Sequence, residues 1–83
     1  MDLFQNLANI ETLVTGGGDI TIGAVAGIEC AATACDEAQC LAMLVKGADE
    51  SLDHLLRRLD AAIEQAQEEG VFTDEINTPG RGA

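Results

Sequence analysis

The sequence has no tryptophan, no tyrosine and only two phenylalanines. A core must therefore come from Leu, Ile, Val, Met and Ala, at about 1.5–3 kcal/mol for each large side chain fully buried. Cations are equally scarce: Lys46, Arg57, Arg58 and Arg81 stand against 15 carboxylates, for a net charge of −11. Four dispersed cations cannot track a phosphate backbone or hold an anionic bilayer, which argues against direct nucleic-acid or membrane binding. No apolar run approaches the roughly 18 residues that span a bilayer. Asp2 stands where a secretion signal would carry a cation, and no apolar signal core follows it. The three cysteines, an odd number, make a poor disulfide framework. Together these features predict a protein of the reducing cytoplasm.

The 83 residues allow one domain, placed at residues 1–77, with residues 78–83 (Thr-Pro-Gly-Arg-Gly-Ala) as a disordered tail that has no means of packing. A chain of this size buries only about 60% of its unfolded surface, so a homo-oligomer that covers leftover apolar surface is an expectation too.

The surest element is an amphipathic helix from Ser51 to Gly70. Leu52, Leu55, Leu56, Leu59, Ile63 and Ala66 fall on one stripe, Asp49 or Ser51 can cap its start, and Gly70 can end it. Asp53 and Arg57 are spaced to pair at i, i+4. Glu68 and Glu69 sit unfavourably at the negative end of the helix dipole. Residues 2–15 predict a first helix, with Leu3, Leu7, Ile10 and Val14 on one face and Asp2 with Gln5 as a capping box. Gly16-Gly17-Gly18-Asp19 reads as a flexible link, Ile20-Thr21-Ile22 as a strand, and Gly23 and Gly27 as the brackets of a turn.

Residues 28–46 admit two readings. Alternation of Ile28, Cys30, Ala32 and Ala34, then of Leu41, Met43 and Val45, predicts a β-hairpin turning over residues 35–40. Strong helix formers across 36–46, with a stripe of Ala38, Leu41, Leu44 and Val45, support a helix instead. The hairpin is preferred. The fold expected is α+β: an N-terminal helix, a small antiparallel sheet of two or three strands, and one long helix packed on it. The alternative is all-α, with three to four helices. After the long helix, Phe72 and Ile76 are expected to anchor the chain to the core.

No catalytic, cofactor or metal motif emerges. In the hairpin reading Cys35 faces Cys40, which would suit a metal half-site or a redox pair. Four intervening residues reach the limit of the C-x₂₋₄-C spacing of structural zinc, but His54 would have to be the remaining ligand, and three small buried hydrophobes are the preferred explanation. The glycine run lacks the lysine and spacing of a phosphate loop. His54 has no evident nucleophile beside it. Glu64, Glu68 and Glu69, with Asp74 and Glu75, form a dense acidic end and are the candidate partner-binding residues. Such carboxylates can mimic the phosphates of nucleic acid against a basic protein, or serve solubility alone.

From Gly23 to Asn77 the chain resembles small uncharacterised proteins of proteobacterial genomes that lie near prophages and other mobile elements. The resemblance is carried by Ile28-Glu29-Cys30, Leu41-Ala42-Met43-Leu44-Val45, Glu50-Ser51-Leu52 leading to Leu55-Leu56-x-x-Leu59-Asp60, and Asp74-Glu75-Ile76-Asn77. It implies a small accessory protein of phage origin and assigns no activity to any residue. The function expected is a non-enzymatic acidic interaction module without cofactors, inhibiting a basic host protein. The alternative is a homodimeric structural or accessory protein.

Overall fold

The computed structural model describes residues 7–25 and 27–76. Their order is α1 (Ala8–Thr15), β1 (Asp19–Val25), β2 (Ile28–Cys35), β3 (Cys40–Val45), α2 (Leu52–Glu69) and β4 (Thr73–Asp74). This is the α+β fold expected, with the hairpin rather than the helix over residues 28–46. The sheet gains a strand: its order is β1-β2-β3-β4, antiparallel except that β4 runs parallel to β3.

Period-2 alternation sorts the strands into two faces. Ile20, Ala34, Ala42 and Thr73 align across the sheet, as do Ile22, Ala32 and Leu44. Ala32, Ala34, Ala42 and Leu44 are buried against Leu7, Ile10 and Leu13 of the first helical segment and Leu55, Leu56, Leu59, Ala62, Ile63 and Ala66 of α2. The alanines suit this role because small side chains let the helices approach the sheet closely. The rows between, Thr21-Thr33-Met43-Asp74 and Gly23-Ala31-Val45, belong to the opposite face.

Three local devices set this geometry. The β2–β3 register skips Leu41, pairing Cys35 with Cys40 but Ala34 with Ala42. The bulge lets Leu41 join the core at 3% exposure. Gly18 is a close approach, not a flexible link: a Cβ there would lie 2.6 Å from the Leu13 side chain and 2.9 Å from the Cys35 carbonyl oxygen. Gly70 ends α2 in the left-handed region at φ 71°, and its N–H donates to the Ala66 carbonyl.

Several details depart from the sequence reading. In α1, Leu13 is buried and Val14 is 49% exposed. Leu52 is 51% exposed at the start of α2, while Ala62 takes a place in the core. The turn falls between Val25 and Ile28, and Gly23 lies within β1 beside an irregularity in register. Phe72 is 44% exposed and lies outside the core cluster, whereas Ile76 is half-buried; the chain after α2 is held by the pairing of β4 with β3. The capping box at Asp2 and Gln5, together with Leu3 and the tail over 78–83, lies outside the described residues. Within them, α1 is capped from another element. The Asp60 carboxylate of α2 accepts from Ile10 N at 2.9 Å and from Asn9 Nδ2 at 3.0 Å.

Candidate functional site

The acidic residues singled out from the sequence fall into two places. Glu64, Glu68 and Glu69 are exposed on the C-terminal half of α2, where with Ala61 and Gln65 they line a shallow cleft of about 370 Å³. Glu64 Oε1 lies 3.4 Å from Asn9 Nδ2. No described cation pairs with any of the three: Arg57 bonds Asp53 at 2.9 Å, and Arg58 is committed elsewhere. Asp74 belongs to β4, opposite Met43, and its Oδ1 accepts from Ile76 N at 3.0 Å. Glu75 is drawn to Arg58, about 15 Å along the helix axis from Glu68. The structure therefore separates Glu75 from the helical glutamates that precede it in sequence.

Arg58 organises the other end of α2. Its Nε and Nη2 reach both oxygens of Glu50 at 2.7 and 3.0 Å, Nη1 reaches Glu75 Oε2 at 3.1 Å, and Nη2 also donates to the Val45 carbonyl at 3.0 Å. Glu50 accepts further from Gly47 N at 2.9 Å and meets His54 Nδ1 at 2.6 Å. Glu75 Oε1 accepts from Val45 N at 2.8 Å, and Glu75 N donates to the Met43 carbonyl at 2.7 Å. The guanidinium thus ties α2 to the end of β3, to the loop before α2 and to the residue after β4. Ser51 caps α2 beside it, its Oγ accepting from His54 N at 3.0 Å.

This clasp borders a cleft of about 580 Å³, which Asp49, Ser51 and His54 also line. The Glu50 side chain is only 9% exposed because its hydrogen-bond partners surround it, not because it lies deep in the protein. The hydrogen bond from Arg58, then that from the Gly47 amide, hold its carboxyl far below the usual carboxylate range. Reciprocally, the Glu50 carboxylate raises the affinity of Arg58 for its proton. Arg58 makes four hydrogen bonds to acceptors from three segments, the pattern of a structural tie. His54 shares the cleft with carboxylates, and no cysteine is among the lining residues.

The cysteines differ most from expectation. Cys35 and Cys40 are joined in a disulfide, and neither is a buried hydrophobe: Cys40 is exposed and Cys35 half-buried. Cys30 is a free thiol packed against the core. Among the described residues no three His, Cys, Asp or Glu side chains are placed to hold a metal ion. No described helix is long and apolar enough to cross a membrane. Compared with models of known protein families, with curated proteins and with solved structures, the chain matches none of them.

Proposed function

We propose that the protein is a non-enzymatic interaction module that binds a basic protein through the acidic face of α2, formed by Glu64, Glu68 and Glu69. The observation that carries this reading is electrostatic. These three carboxylates are exposed on one stretch of helix at its negative end, while the two arginines of the same helix are already paired with other acids. A net charge of −11 adds a long-range field that steers cationic surfaces towards the molecule. In its sharper form the module occupies the groove by which a host protein grips nucleic acid, as a phage-derived inhibitor in the bacterial cytoplasm.

The immobilised chain is the test. It should retain specific proteins from a bacterial lysate at low ionic strength and release them as salt rises, because exposed charges are screened over about 10 Å at 0.1 M. Retention that is indifferent to salt would contradict the proposal.

A homodimer is the second reading, favoured by one feature. Among the described residues the edge strand β1 pairs only with β2, and its Ile22 is 42% exposed. The two readings respond oppositely to salt. Screening weakens the capture of a basic partner, whereas it relieves repulsion between two copies of an acidic chain.

A further inference from the structure

We propose that Cys35 and Cys40 form a reversible dithiol–disulfide couple, open to exchange with dithiol reductants in the folded protein. The fold places the pair where chemistry can reach it. The cysteines close the mouth of the β2–β3 turn, and the skipped residue Leu41 brings Cys40, rather than a leucine, opposite Cys35. Cys40 is exposed and Cys35 half-buried, so an incoming thiolate has access to a sulfur without any opening of the core. Neither cysteine contributes to the buried cluster between helices and sheet.

The turn is ordered by more than the disulfide. Asp36 N donates to the Gln39 carbonyl at 2.8 Å, and Asp36 Oδ1 accepts from Ala38 N at 2.7 Å and Gln39 N at 2.8 Å. These bonds keep the two thiols apposed after reduction, which favours ring closure over mixed-disulfide formation with other thiols. The same turn supplies Asp36, Glu37 and Ala38 to one wall of a cleft of about 390 Å³, opposite Thr12, Leu13 and Gln67. The couple therefore adds a covalent tie to a wall that the Asp36 hydrogen bonds already order.

Exchange proceeds in two displacements. A thiolate of the reductant attacks the accessible Cys40 Sγ, the bond to Cys35 Sγ breaks, and Cys35 leaves with the electron pair and takes a proton. The second thiol of the reductant then attacks the reductant sulfur of the mixed disulfide, releasing Cys40 as a thiolate that is protonated in turn. Two electrons and two protons pass from the reductant, which ends as a disulfide.

Dithiothreitol is the probe. The chain, equilibrated with the cyclic disulfide of dithiothreitol, is quenched in acid, then denatured and alkylated at neutral pH, and weighed. It should carry one labelled thiol, that of Cys30, and three after native treatment with dithiothreitol. Reduction in native buffer should run within about tenfold of the rate in denaturing guanidinium, with far-ultraviolet circular dichroism unchanged. The C30S variant, which lies outside the couple, should shift between zero and two labels at the same rate. Three labels after oxidation, or native reduction more than about tenfold slower than in denaturant, would overturn the proposal.

Discussion

At the scale of single residues, Arg58 does more than its neighbours. It meets two carboxylates and a backbone carbonyl from three separate segments and is 31% exposed. R58M should lower stability to urea by about 2–3 kcal/mol, since it leaves Glu50 and Glu75 crowded and without their shared cation. D53A, which breaks only the exposed pair with Arg57, should cost less than about 0.5 kcal/mol. Glu50 adds a pH signature. Its carboxyl is depressed below the ordinary 4.5 in the folded state, so its contribution is complete above that value and is lost as pH falls towards the folded pKa. Thermal melts between about pH 6 and pH 3 should therefore fall less steeply for E50Q than for the parent chain. Sequence patterns reveal the Asp53–Arg57 pair because helical spacing alone brings it together. They cannot reveal Arg58 with Glu75, since that meeting depends on where β4 returns to the sheet.

At the scale of elements, the helices and strands follow from periodicity, and their ends follow from tertiary contacts. The long helix was legible to its caps, Ser51 and Gly70. The hairpin was legible because Ile28–Ala34 alternates even though its alanines favour helix. β4 was hidden in a two-residue pairing that no periodicity marks. The placement of Leu13 inside and Val14 outside reflects the way Asp60 holds the first turn of α1, through Asn9 and Ile10. D60A should remove that cap, costing about 1–2 kcal/mol and speeding amide hydrogen exchange in α1 before α2 is affected. Equal acceleration in both helices would show that Asp60 acts on the molecule as a whole. The pairing of Cys35 with Cys40 needed the bulge at Leu41 as well as the turn, and a one-residue register change cannot be read from composition.

At the scale of the whole molecule, the net charge of −11 acts over a longer range than any single contact. With 15 acidic side chains against four cations, two copies repel before any edge strand can pair. Light scattering at low salt should therefore give the mass of a monomer, and a dimer at low ionic strength would favour the β1 edge over the acidic face as the working surface. The acidic end of α2 was legible in the sequence, as Glu64, Glu68 and Glu69. The departure of Glu75 into the clasp was not, because sequence adjacency says nothing about the turn made after Gly70. The most direct measurement replaces those three helical glutamates together by glutamine and compares the proteins captured from a bacterial lysate by the parent and the variant. The side chains are exposed, so the variant should keep the parent's circular dichroism. The account predicts that proteins held by the parent at low salt are lost from the variant; the same proteins held equally by both would contradict it.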